Sequence, residues 1–187
     1  MAYLFKIQIQ GINPPVWRRL LVPENITFSK FHNIIQVAFG WENEHPYEFS
    51  PSGWGSSPTI GSQFEKYFED GAEMDSEKVK LSDVFQNEKR TFTYIYDFED
   101  EWVHEIVLEK VVDNNTIKAS CVDGDGACPP EDCGGALDYM DFVEIIRDPQ
   151  HPQYMDMLDW VALEEGETWE EIHAFDLKMT NERVERL

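Results

Sequence analysis

The sequence predicts an α+β fold: a mainly antiparallel sheet, an N-terminal helix packed on it, and a C-terminal helical segment. Three observations lead there. Residues 3–10 and 91–111 alternate apolar and polar side chains in the two-residue period of half-buried strands. Residues 27–39 and 136–147 instead repeat apolar side chains at three- and four-residue steps, the period of a helix lying on a core. Strands and one helix come first and helices later, without the regular strand–helix alternation of a parallel sheet. At 187 residues, a single domain is expected. Residues 1–135 would hold the sheet plus helix 27–39, and 136–187 would hold helices docked on it.

In residues 3–10, Tyr3, Phe5, Ile7 and Ile9 share one face, and Lys6, Gln8 and Gln10 the other. Gly11–Pro15 turns the chain into a second strand, Val16–Val22, ended by Pro23. Thr27 caps a helix carrying Phe28, Phe31, Ile34, Ile35, Ala38 and Phe39, and Gly40 ends it. Residues 46–50 read as a short strand. Residues 51–78 lack a pattern around Phe64, Tyr67 and Phe68, as a lid, insertion or loop would. Leu81–Phe85 reads as one helical turn.

TFTYIYDFEDEWVHEIVLEKV (91–111) is the strongest hairpin signal. With Glu99-Asp100-Glu101 as its loop, Phe92, Tyr94, Tyr96 and Phe98 share a face with Trp102, His104, Ile106 and Leu108. An even-numbered loop would set Asp97 beside Trp102 instead. Consistency of burial favours the first register, because a one-residue slip turns every side chain to the wrong face. A bulge at the turn would bring Asp97 or Asp100 to His104. A further strand is expected over 115–120. The helix 136–147 is expected to bury Leu137, Met140, Val143 and Ile146 before Asp148-Pro149 stops it. A second helix begins near Pro152 with Tyr154, Met155, Leu158 and Val161. The tail places Trp169, Ile172, Phe175 and Leu177 before a short charged helix at 181–186.

Fifteen Lys plus Arg against 37 Asp plus Glu give a formal net charge of −22. A field of that sign repels phosphate, so direct nucleic-acid binding is not expected. A basic protein partner is the partner class that the charge suits, and a DNA-mimicking acidic surface is a weaker alternative. No apolar run approaches the ~20 residues of a membrane span, and the opening residues lack signal-peptide character. A cytoplasmic protein is expected, with no membrane partner.

Cys121, Cys128 and Cys133 are an odd number of thiols in one short stretch. In a reducing compartment that argues against a disulfide framework. Zinc sites pair their ligands at two- to four-residue spacing. Only Cys128 and Cys133 come near it, so no cofactor is expected, with zinc at the three cysteines as the alternative. Asp123 and Asp125 suggest a calcium loop, but its remaining acids are missing at their offsets. Cys133, just before a helix, is the candidate nucleophile, and His104 would be its base. For His104 the commoner reading is a core histidine bonded to a tyrosine hydroxyl or an aspartate. GACPPEDCGG (126–135) itself reads as a stiff turn: prolines preset the backbone, and Gly134-Gly135 allow positive φ and close approach. Free N–H groups there could meet an anion.

Several of these segments fall together in one known pattern. PPVWRRLLVP (14–23), FHNIIQVAFGW (31–41) with His45 and Phe49, YIYDFEDEWVHEIVLE (94–109), and GACPPEDCGG followed by Tyr139 occur in this order. So do DPQHPQY (148–154) and the FDL tail (175–177). The chain thereby resembles the Ri-plasmid ORF-3-like family, whose members are also described as passenger proteins of insertion elements. The resemblance implies one α+β domain, a link to mobile elements and no established activity. A resolvase-like role finds no helix-turn-helix and no recombinase serine or tyrosine context here. The matching residues are Trp17, Arg18, Trp41, His45, Asp97, Asp100, Trp102, His104, Pro129, Pro130, Glu131, Asp132, Gly134 and Gly135. Two positions depart from the pattern: Glu99 stands where the family has glycine, and His45-Pro46-Tyr47 replaces His-Leu-His.

The candidate pocket drawn from that set is His45, Asp97, Asp100, Trp102, His104, Glu131 and Asp132. It supports two functions of different class, a non-enzymatic interaction domain and a metal-dependent or hydrolase-like enzyme.

Overall fold

The computed structural model describes residues 1–62, 72–113 and 118–187. The described strands form one sheet: β1 (Ala2–Ile9), β2 (Trp17–Pro23), β3 (Tyr47–Ser50), β4 (Ile60–Gly61), β5 (Met74–Asp75), β6 (Thr91–Tyr96), β7 (Trp102–Val112) and β8 (Ser120–Asp125). Across the sheet they run β5-β4-β3-β6-β7-β1-β2-β8. The pairings are antiparallel except β4 with β5. The helices are α1 (Phe28–Phe39), α2 (Leu81–Val84), α3 (Gly135–Arg147), α4 (Tyr154–Trp160), α5 (Trp169–Ile172) and α6 (Leu177–Val184). The fold is α+β, as expected. No described helix is long and apolar enough to cross a membrane.

Helix α1 starts where the Thr27 hydroxyl accepts from Lys30 N, and it ends at Gly40 in the left-handed conformation. Its apolar stripe lies on the sheet, with Phe31 5.0 Å from Phe5 and Phe28 5.0 Å from Phe49 between ring centres. That face buries the six expected residues and also His32 and Gln36. In the central hairpin Tyr96 faces Trp102 and Tyr94 faces His104. The loop is therefore Asp97–Glu101, two residues longer than the sequence suggests. An offset of two preserves parity, so Tyr94 and Tyr96 still share the buried face with Trp102, His104, Ile106 and Leu108. Phe98 leaves that face and stacks on Trp54 instead. Glu99, in place of the family's glycine, does not adopt a positive φ; Asp97 and Glu101 do.

Other expectations are corrected. The strand expected over 115–120 is β8, Ser120–Asp125, and residues 114–117 lie outside the described residues. The segment at Asp123–Asp125 is therefore an edge strand paired with β2, not a calcium-type turn. The patternless stretch contributes β4 and β5, while Phe64, Tyr67 and Phe68 lie outside the described residues. Helix α6 begins earlier than its charged pattern suggests, at Leu177, with the Asp176 carboxylate accepting from Met179 N. Leu137, expected in the core, is 81% exposed, because no described element covers that side of α3.

Candidate functional site

Three loops meet at one end of the sheet. The first leaves α1 at Gly40, and its Trp41 is fixed by an Nε1–H that donates to Pro129 O at 3.1 Å. That bond sets residues 41–45 against the 126–135 turn. The second is the β6–β7 loop, anchored by Asp97 N donating to Pro46 O at 2.9 Å. The third is the turn itself. Its carbonyls receive Arg18 Nη2 at Gly126 and Trp169 Nε1 at Cys128. Each anchor lies far from its partner in sequence, so only the folded sheet assembles the site.

His45, Asp97, Glu131 and Asp132 converge there. His45 Nδ1 lies 3.6 Å from Asp97 Oδ2, and His45 Nε2 lies 3.1 Å from Asp132 Oδ1 and 3.9 Å from Glu131 Oε2. Among the described residues, His45, Asp97 and Asp132 are the one group of three metal-ligating side chains whose ligand atoms all lie within 4.8 Å of one another. Asp97 is held from behind: its Oδ1 accepts from Glu99 N at 2.9 Å, which leaves Oδ2 turned to His45. Asp97 and Asp132 both sit at positive φ, 58° and 57°. Aspartate enters that region more readily than bulkier residues, and such conformations gather at functional sites.

Two atoms of this cluster lack hydrogen-bond partners. Glu131 Oε1 accepts from Tyr96 OH at 3.0 Å and from Glu42 N at 2.9 Å. Its Oε2, on the His45 side, is buried without a partner. His45 Nε2 is also buried and unbonded, since Asp132 Oδ1 is near but out of line for a hydrogen bond. A buried polar atom without a partner costs roughly 1–3 kcal/mol, and these two lie 3.9 Å apart. Burial holds the Glu131 carboxyl above its ordinary range, against the two hydrogen bonds that favour its anion. Glu131 also lines a cavity of about 460 Å³ whose walls include Arg18, Phe39, Trp41, Glu42 and Phe175.

The other candidate residues fall elsewhere. Asp100 stands at the rim, and its Oδ2 accepts from Gly134 N at 2.9 Å. The N–H that an anion could have used is thus taken by the protein's own carboxylate. Trp102 and His104 are fully buried. His104 packs edge-on against Phe39 and Trp41, each 5.2 Å away, with Nδ1 bonded to Trp102 O and not to an aspartate or tyrosine hydroxyl. Burial lowers its pKa to about 3, so it is a neutral core group and no base for a thiol. The cysteines are equally quiet. Burial raises Cys121 and Cys128, and burial followed by the Asp100 charge pushes Cys133 up to about 12. Helix proximity does not make Cys133 a thiolate, and the three cysteines join no such ligand group.

The sequence did not single out Tyr96 or His32. Tyr96 orients Glu131, and strand alternation already places it on the buried face. His32 belongs to a closed ring of hydrogen bonds. Gln36 Nε2 donates to Tyr94 OH at 2.9 Å, Tyr94 OH donates to His32 Nδ1 at 2.8 Å, His32 Nε2 donates to Asn43 Oδ1, and Asn43 N donates to Gln36 Oε1 at 3.1 Å. The signal for it was a histidine three residues before Ile35, on the apolar stripe of α1.

Gly135 gives a direct test of how the turn is fitted. Its φ is +86°, and a Cβ there would lie 2.4 Å from Asp100 O. Gly135→Ala is expected to lower stability by roughly 1–3 kcal/mol, the cost of a disfavoured backbone region plus the clash. Urea unfolding would measure it, and an unchanged midpoint would contradict this packing.

Comparison with known proteins follows the same boundaries. A family profile described as plasmid pRiA4b ORF-3-like protein matches residues 1–183. The chain belongs to this family. An uncharacterised protein of Sinorhizobium fredii, y4hQ, is 35% identical over 166 residues, covering 83% of this chain and 78% of that protein. The crystal structure of MM3350 from Methanosarcina mazei, a protein of unknown function, superposes with a TM-score of 0.76 at 34% identity. It covers 95% of this chain and 96% of its own. The pRiA4b ORF-3-like fold therefore extends over the sheet and the C-terminal helices alike.

Proposed function

We propose that the protein binds a divalent metal cation at His45, Asp97 and Asp132, beside Glu131, and acts through it on a small polar molecule in the adjoining cavity. The observation that carries this reading is the convergence of one imidazole and three carboxylates with two buried, unpartnered atoms among them. A mixed nitrogen and oxygen donor set suits zinc, manganese or ferrous iron, whereas a soft thiolate set would have selected differently. A cation there can polarise a bound group or activate water. Glu131 connects the two parts, since it faces His45 and lines the cavity. The cavity volume, about 460 Å³, falls in the range of small-molecule sites.

Calorimetric titration of metal-stripped protein with zinc and manganese chlorides tests this reading. One saturable site per chain is expected. At a cation concentration of about 100 Kd the stabilisation should reach about 2.7 kcal/mol. Asp97→Asn keeps the turn bond to Glu99 and should weaken binding by on the order of 100-fold. Absence of a saturable site for either cation would end the reading.

A second reading, a domain that meets a basic protein partner, is supported by the net charge of −22 and by an exposed apolar face on α3 and α4.

A further inference from the structure

We infer that the α3–α4 face docks an amphipathic, basic helical segment of a protein partner. The inference builds on the basic-partner reading and gives it a surface. A groove of about 390 Å³ runs between these helices, floored by Phe142, Ile145, Met157 and Trp160. Its rim carries Asp132, Asp138 and Asp141. Leu137, 81% exposed, lies four residues before Asp141 and eight before Ile145, so it extends the same helix face by one turn. Trp160 is 47% exposed, with its ring 5.7 Å edge-on from Phe142.

Large apolar side chains in the open, bordered by polar ones, mark interaction surfaces. The charges decide what covers this one. A second copy would bring Asp132, Asp138 and Asp141 against their own counterparts, on chains that each carry −22. An anionic lipid surface would meet the same carboxylates. A helix with an apolar stripe and flanking Lys or Arg satisfies both the floor and the rim, and helix-in-groove docking needs only a few anchors at helical spacing. Asp138 and Asp141 would then steer encounter, while Leu137 and Trp160 receive the apolar anchors.

The test uses the full chain and two synthetic 18-residue peptides of identical leucine and lysine composition. One places its leucines on a single helix face, and the other scrambles them. Binding is read by calorimetry at physiological salt, and the footprint by amide hydrogen exchange. The amphipathic peptide should bind and protect α3 and α4, with the scrambled peptide roughly tenfold weaker or more. Leu137→Ser with Trp160→Ser should weaken the amphipathic peptide roughly tenfold or more while cation binding stays intact. Asp141→Lys, at an exposed position, serves if the double variant folds poorly, and should weaken binding too. Equal binding of both peptides, insensitivity to these variants, or dimerisation through this face would overturn the proposal. A footprint elsewhere overturns the surface and leaves the basic-partner reading standing. No peptide binding at all removes both.

Discussion

Arg18→Met is expected to destabilise the protein by about 3–5 kcal/mol, because it leaves four carbonyls without the guanidinium that they share. Arg18 is 3% exposed. Its Nε donates to Ala38 O at 2.9 Å, Nη1 to Trp17 O and Asp125 O at 2.8 Å each, and Nη2 to Gly126 O at 3.1 Å. Phe39 and Phe175 lie 5.0 and 4.4 Å from its guanidinium carbon. Burial lowers its pKa, yet an arginine remains charged. Methionine would fill the volume and strand four carbonyls at once. Lysine should not rescue, since an ammonium cannot span carbonyls spread around a planar fork. Asp125 and Gly126 lead into the 126–135 turn, so the loss should also loosen Glu131 and Asp132. Urea unfolding measures the effect, and a loss below about 1 kcal/mol would contradict this role.

Acidification should destabilise the fold well above the pH at which ordinary carboxylates titrate. Burial lowers His32 from 6.5 to about 4 and His104 from 6.5 to about 3. Both folded values lie below the unfolded one, so as pH falls the folded chain binds fewer protons than the unfolded chain does. The stability these two contribute is therefore present above pH 6.5 and is lost on the way down to their folded values. Each histidine approaches a cost of roughly 1.4 kcal/mol per pH unit in that window, which makes roughly 3 kcal/mol for the pair between pH 6.5 and 5. Glu131 and Asp100 work in the opposite sense, because raised carboxyls take up protons in the folded state first. His104→Phe should flatten the wild-type slope by about one proton over the same range. A stability profile flat from pH 8 to 5 would contradict neutral burial of these histidines.

The sequence made the sheet's faces legible wherever alternation or helical period was strong. β1, α1 and the β6–β7 pairing parity follow from side-chain period alone, which is local information. β8 was not legible, because Asp123, Gly124 and Asp125 have turn chemistry and become a strand only through pairing with distant β2. Leu137 fits the core period of α3, but whether a neighbour covers that face depends on where α4 lands. The candidate site divides for the same reason. His45, Asp97, Glu131 and Asp132 stand on loops and do converge. His104 shares their motif but sits on a strand beneath Phe39 and Trp41, where alternation cannot reveal what lies above it. The orphaned Glu131 Oε2 was beyond any sequence reading, since it depends on Tyr96 and Glu42 occupying the other oxygen.

Crystals soaked in manganese chloride, with anomalous differences recorded, test the cation site most directly. The result expected is a single strong peak bounded by His45, Asp97, Glu131 and Asp132, absent from Asp97→Asn crystals soaked in the same way. Peaks only at scattered surface carboxylates, with His45 Nε2 and Glu131 Oε2 still facing no ion, would contradict it.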